Sequence, residues 1–458
     1  MLRRTLLLAL LLPALLLPCL LSGCASETPA EHIANTYAAN EMAAAPLHGN
    51  LPDYSLSPSD LAKAQSLSRV ETPLHFLSLA WSILSLALLL WLGVAAFIRD
   101  RATAATADLR DRGKTTRAFW LECLIFVALF TLVTFVLDLP LALYGHHLSL
   151  TYGLSIQHWP SWFADQAKSL LLTLVTSALI AALLLFTIRK FPRTWWLAFW
   201  AALAPIIVFA IYISPLVIDP LFNKFEPLQQ TQPALVQRLQ LVVARGHMDI
   251  PPSRMFLMKA SAKTTQLNAY VTGFGASKRL VLWDTTLAKM TPDEVLMVFG
   301  HESGHYVLGH VTRGILLTFL GLFVLLYLAF LTVNALLRRF GPRWRIPAQS
   351  DWAALIVLAF AFAIFSAITE PVVQAMTRQQ EHAADVYGLE AIHGIVPNPQ
   401  AAGQGAFDVL GTNSLADPNP SPLVEFWTYS HPSTGRRAAF AHIYNPWLPN
   451  LTPKYFNK

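Results

Sequence analysis

Thr291–His310 reads T-P-D-E-V-L-M-V-F-G-H-E-S-G-H-Y-V-L-G-H, and its pattern governs how the rest of the chain is read. Thr291 is a natural N-cap, Pro292 suits the first helical position, and Glu294 stands where a capping box needs a carboxylate. The apolar run Val295–Phe299 carries the helix towards His301, Glu302 and His305. Residues four apart share a helix face, so the two imidazoles can converge on one metal ion. Zinc accepts neutral imidazole nitrogen, and Glu302 then stands beside the remaining coordination position, where it can take a proton from water. Histidines that merely make polar contacts would spell the same motif, so the surrounding chain has to decide.

Of the 458 residues, 54% are hydrophobic and only 13% are charged. Soluble domains are roughly a quarter charged, so with a mean hydropathy of +0.45 the chain reads as a polytopic membrane protein. The net charge of +6 lies largely in short loops beside apolar spans and calls for no nucleic-acid partner. Cys19, Cys24 and Cys123 are too few and too scattered for a disulfide framework or a cysteine zinc site. Met1–Cys24 has a basic start, an apolar run and the ending L-S-G-C, which reads as a signal peptide whose end resembles a bacterial lipobox with Cys24 as the lipidated residue. Residues 25–73 are rich in Ala, Pro and Ser and read as a flexible polar tether.

Six stretches are long and apolar enough to cross about 30 Å of hydrocarbon: Leu74–Ile98, Phe119–Leu137, Leu170–Ile188, Trp195–Ile218, Ile315–Leu337 and Trp352–Ile368. Arginines and lysines cluster in alternate connections, at 99–117, 189–193 and 338–345. The positive-inside rule places these in the cytoplasm. The expected organisation is a bacterial inner-membrane protein with four spans in 74–218 and two in 314–376. Its catalytic domain is split between 219–313 and 377–458 on the periplasmic side.

Within 219–290, Ala234–Ala244 reads as a helix closed by Gly246. Met255–Met258, Asn268–Phe274 and Arg279–Trp283 read as strands, with Gly275-Ala276-Ser277 as a turn. An edge strand there could hold an extended peptide by backbone pairing. Thr377–Gly388, T-R-Q-Q-E-H-A-A-D-V-Y-G, reads as helical, with Glu381 and Asp385 on one face. Two histidines need a third protein ligand, and Glu381 is the choice, with Asp385 fixing a ligand imidazole. His382 is a rival ligand but points about 100° away from Glu381. His310, nine residues past His301, faces the opposite side of a straight helix and is not expected to coordinate.

These pieces together resemble the integral-membrane type I CaaX prenyl protease family of zinc metallopeptidases, over about residues 138–438. L-P-L-A-L-Y (Leu139–Tyr144), Y-G-L-S (Tyr152–Ser155) and W-F-A-D (Trp162–Asp165) come first. P-L-F-N-K-F-E-P-L (Pro220–Leu228), N-A-Y-V-T-G-F-G (Asn268–Gly275) and R-L-V-L-W-D-T-T-L (Arg279–Leu287) come next in family order. The metal helix, T-R-Q-Q-E-H-A-A-D and S-H-P-S-T-G-R-R (Ser430–Arg437) complete the set. The resemblance implies one Zn2+ held by His301, His305 and Glu381, with Glu302 as general base and acid. It implies that Asn268 lies on the substrate-binding edge and that His431 and Arg437 line the active site, where either could stabilise an oxyanion. It also implies spans that enclose a chamber.

The expected fold is mainly α and polytopic, with about six spans around a chamber and a zincin-type α+β catalytic domain split by the last two. The expected function is a membrane zinc endopeptidase acting on peptides or membrane proteins in a lipid bilayer. The leader and tether depart from the family, and the span count is lower than in the eukaryotic members. An odd change in span number reverses the catalytic side, so a prenylated CaaX substrate is the part of the resemblance that transfers least. The rival reading is a non-proteolytic membrane chaperone or channel-like protein with a structural zinc site, closed by four protein ligands.

Overall fold

The computed structural model describes residues 27–273 and 277–456. The expected signal peptide with Cys24, and Phe274–Ala276 of the expected strand and turn, lie outside them. The principal helices are α1 (Pro29–Ala44), α2 (Pro58–Trp91), α3 (Val94–Ala104), α4 (Thr115–Thr151), α5 (Trp159–Lys190), α6 (Trp195–Ile213) and α7 (Pro233–Arg245). Then come α8 (Pro292–Val307), α9 (His310–Trp344), α10 (Ala354–Ile392), α11 (Pro399–Ser414), α12 (Pro422–Thr428) and α13 (Thr434–Ile443).

Six of these, α2, α4, α5, α6 with its continuation to Phe222, α9 and α10, are long and apolar enough to cross a membrane. The first departs from expectation. It stops at Trp91, and the chain turns at Gly93 into α3, which takes Phe97 and Ile98 out of the span. Trp195, Trp352, Phe126 and Leu185 fill the core between the spans, while Leu171, Leu179, Val208 and Phe209 face outward.

The three basic connections gather at one end. Arg99 Nη1 donates to Asp351 Oδ2 at 2.6 Å and to the Arg345 carbonyl at 2.7 Å. Arg189 reaches the Ser350 carbonyl, and Trp195 Nε1 donates to Gln349 Oε1. Glu122, fully buried, accepts from Thr106, Arg110 and Trp352, so its charge is both paired and hydrogen-bonded.

A second core belongs to the domain at the other end. A four-stranded sheet there has the order β1 (Phe225–Pro227), β2 (Met255–Met258), β4 (Arg279–Trp283), β3 (Ala269–Thr272). β2 and β4 are parallel and the other pairs antiparallel, which leaves β3 at an edge. β1, three residues ending in Pro227, is too short to carry a readable pattern.

The expected tether is corrected. Thr28 caps α1 through a capping box with Glu31, and Ala30, Ala34 and Ala38 are buried in the same core. Alanines four apart form a flat stripe that packs closely on α13, although their low hydrophobicity resembles that of a disordered linker. α10 has 39 residues, about 58 Å at the helical rise, so it both spans the bilayer and enters this domain. Near its end, Glu390 is fully buried. It accepts from Tyr444 Oη at 2.6 Å and from the backbone N–H groups of Lys454, Tyr455 and Phe456 at 2.7, 2.7 and 3.2 Å. Glu390→Ala is expected to lower stability by about 3 kcal/mol, since four donors lose a charged acceptor. It should also open residues 451–456 to protease, and an unchanged melting temperature and digestion pattern would contradict this.

Candidate metal centre

α8 forms as its sequence predicts. Glu294 N–H donates to Thr291 Oγ1, and Thr291 N–H donates to Glu294 Oε2 at 2.7 Å. It crosses α10 at glycines. A Cβ at Gly388 would stand 2.8 Å from the His301 backbone nitrogen, and one at Gly304 would stand 3.0 Å from Tyr387 Cβ. This close backbone approach brings His301 and His305 against Glu381 and Asp385. Gly300, just before the motif, and Gly304, within it, stand at helical spacing, a packing signal in the sequence that the metal motif overshadows.

His301 Nε2 and His305 Nε2 lie 3.1 Å apart. His301 Nε2 is 3.1 Å from Glu381 Oε2, and His305 Nε2 is 3.4 Å from Glu381 Oε1. A tetrahedral ion with nitrogen and oxygen ligands has edges of about 3.3 Å, so the three side chains fit one divalent ion. Glu381 Oε2 also makes no hydrogen bond among the described residues, although it is buried. A cation would satisfy such an atom. The group contains three side chains and, among the described residues, no fourth.

Asp385 Oδ1 accepts from His301 Nδ1 at 2.7 Å, which leaves His301 Nε2 to face the ligand group. Arg437 holds Asp385 from both sides, Nε to Oδ2 at 2.9 Å and Nη2 to Oδ1 at 2.7 Å, with its guanidinium over the Phe407 ring. Arg437 Nε and Nη2 are thus engaged by Asp385. His431 is half exposed, with Nε2 3.1 Å from Glu381 Oε2. Asn268 is exposed at the start of edge strand β3, and its backbone is fixed by Thr286. His382 packs its ring on Phe440 and lies 3.9 Å from Glu31, outside the ligand group.

His310 stays outside the ligand group as expected, but the straight-helix premise behind that reading is corrected. The helix is not straight through it: α8 ends at Val307, Gly309 takes a left-handed φ of 71°, and His310 opens α9. Gly309 is a typical helix-ending glycine, and that role is the sequence signal for the turn. His310 Nδ1 thereby comes within 3.1 Å of His305 Nδ1.

Burial opposes charging of His301, but the Asp385 and Glu381 carboxylates outweigh it and push its pKa up to about 9. At neutral pH the metal-free ring is therefore protonated on both nitrogens, and an ion can take Nε2 only by displacing a proton. Metal binding at pH 7 is expected to release about one proton, with affinity falling as pH drops below about 9. Calorimetry in buffers of different ionisation enthalpy measures this, and binding without proton release would count against it.

Residues 229–443 match the model of peptidase family M48. Over 394 residues the chain is 33% identical to an uncharacterized metalloprotease of Bacillus subtilis (strain 168), YhfN, covering 85% of this chain and 87% of the relative. The chain belongs to peptidase family M48. It is thus a metalloprotease and, with six candidate spans, a multi-pass membrane protein. Residues 45–224 match the CAAX prenyl protease N-terminal model, described as five membrane helices. The M48 chain is 27% identical over 331 residues to CAAX prenyl protease 1 of Saccharomyces cerevisiae, covering 69% of this chain and 71% of the relative. Its fold matches the crystal structure of S. mikatae Ste24p with a TM-score of 0.71 at 21% identity, over 90% of this chain and 99% of that one.

Proposed function

We propose that this M48 member is a zinc endopeptidase of the bacterial inner membrane. Its metal centre faces the periplasm, and its substrates are peptides or damaged membrane and exported proteins. The observation that carries the reading is the group of three donors at tetrahedral spacing, with Glu302 adjacent to the first of them in sequence. Two imidazoles and a carboxylate suit zinc, and a three-ligand set leaves a position for water and substrate, as a catalytic site requires. The rival structural site needs a fourth protein ligand, and among the described residues the group has none.

Zinc held there would polarise the peptide carbonyl and acidify water. The chain's own residues do the rest. Glu302 takes the proton from the attacking water on its carboxylate and returns it to the leaving amine. Asp385, locked by Arg437, fixes the His301 ring so that Nε2 points at the ligand group. His431, half exposed beside Glu381, is placed to donate to the developing oxyanion. Edge strand β3, entered at Asn268, offers unpaired backbone groups to an extended peptide. Support for the sidedness comes from the basic connections, which converge at the end away from the metal centre. In addition, four candidate spans stand in 45–224, where the matched model is described with five.

N-terminomics on membranes carrying the wild type or Glu302→Gln tests substrate class and side together. New N-termini are expected only with the wild type, within exported segments. Identical termini in both samples would refute the peptidase reading, and termini confined to cytoplasmic segments would refute the sidedness.

A further inference from the structure

We infer that His310 is a positioning residue for the metal centre, accepting the His305 Nδ1–H bond and so presenting His305 Nε2 to the ion. The inference rests on the proposed ligand set of His301, His305 and Glu381 and extends it to a residue outside the ligand group.

Three observations converge on it. His305 Nε2 faces the ligand group, at 3.1 Å from His301 Nε2 and 3.4 Å from Glu381 Oε1. A neutral imidazole that coordinates through Nε2 carries its hydrogen on Nδ1. That hydrogen needs an acceptor, and the atom standing 3.1 Å from His305 Nδ1 is His310 Nδ1. The rings meet edge to face, with centroids 5.2 Å apart. His310 must then hold its own proton on Nε2 and leave the Nδ1 lone pair free to accept. Its ring also lines a cavity of about 700 Å³.

The second observation is the parallel with His301, whose Nδ1 is bonded to Asp385 at 2.7 Å. Each ligand imidazole thus has an acceptor on the nitrogen away from the ion, which fixes its tautomer and orientation. One acceptor comes from α10 and the other from α9, so the two rings are braced independently.

The third is the backbone that delivers His310. On an unbroken helix a residue five positions past His305 would be rotated about 140° away from it. The left-handed turn at Gly309 swings the chain back so that His310, only 7% exposed, lies against the ligand ring. A conformation that favours glycine, placed between a ligand and its acceptor, ties the end of α8 to the ring orientation.

The test uses full-length protein in detergent, with Zn2+ and Co2+ as probes. His310→Ala removes the acceptor and is expected to weaken metal binding about 10–100-fold and to shift the Co2+ d–d bands. His310→Asn places a side-chain oxygen near the Nδ1 position and is expected to recover most of the affinity and the wild-type spectrum. Melting of the metal-free proteins separates folding from ligand orientation, since both variants should melt together. Wild-type affinity and spectrum in His310→Ala would overturn the inference while leaving the ligand set intact. Equal losses in the two variants at equal metal-free stability would also overturn it. Wild-type protein that holds no metal would overturn the ligand assignment and this inference with it.

Discussion

Glu302→Gln is expected to keep its metal and lose at least about 10²–10⁴-fold in peptide cleavage, the range over which a positioned base contributes. The two halves of this expectation have separate physical origins. Metal is retained because the ligand group is His301, His305 and Glu381, and an amide of the same shape at 302 disturbs none of them. Cleavage is lost because an amide cannot take the proton of the attacking water. Burial pushes the Glu302 carboxyl above the ordinary carboxylate range, and the charge of Glu381 works in the same direction. Metal analysis of the purified variant and turnover of a quenched-fluorescent peptide library measure the two halves. A metal-loaded Glu302→Gln protein with wild-type turnover would remove Glu302 from the mechanism.

How much of this site is legible in the sequence depends on how local each constraint is. The capping box at Thr291–Glu294 and the four-residue spacing of His301 and His305 are helix rules, and they can be read without a fold. Glu381 needs one more step, the requirement of zinc for a third ligand, which a helix after the last span can meet. His310 is misplaced by sequence reading for a definite reason. Extending α8 as a rigid rod ignores Gly309, and one left-handed residue redirects the chain beyond it. α1 reads as a tether because alanine is weakly hydrophobic. Its stripe of Ala30, Ala34 and Ala38 gains its meaning only from α13, some four hundred residues downstream. The engagement of Arg437 with Asp385 is likewise tertiary, since nothing in S-H-P-S-T-G-R-R says which arginine turns inward. The apolar spans are legible in number, yet the end of the first is not. A run of apolar letters continues through Gly93 whether or not the helix does.

Glu381→Ala is expected to reduce bound metal from one per chain to about a tenth or less, because two imidazoles alone hold zinc far more weakly than a closed set of three ligands. The claim is sharper than loss of activity, since many substitutions in this domain would lose activity by unfolding it. Three companion measurements isolate coordination. Glu381→Gln keeps the side-chain shape and the packing of α10 against α8 but withdraws the anionic donor, so it too should lose most of the metal. His382→Ala, one residue along the same helix, should keep the full complement, because His382 packs on Phe440 and lies outside the ligand group. The metal-free melting temperature of Glu381→Gln should stay close to that of the metal-free wild type. In the absence of an ion, removing one carboxylate from beside His301 costs an ion pair but also relieves a buried anion. Added zinc should then raise the melting temperature of the wild type and of His382→Ala but not of either Glu381 variant, as linkage requires for a ligand that binds only the folded state. Full metal occupancy in Glu381→Ala, or its loss in His382→Ala, would mean that the third ligand has been assigned to the wrong side chain of α10.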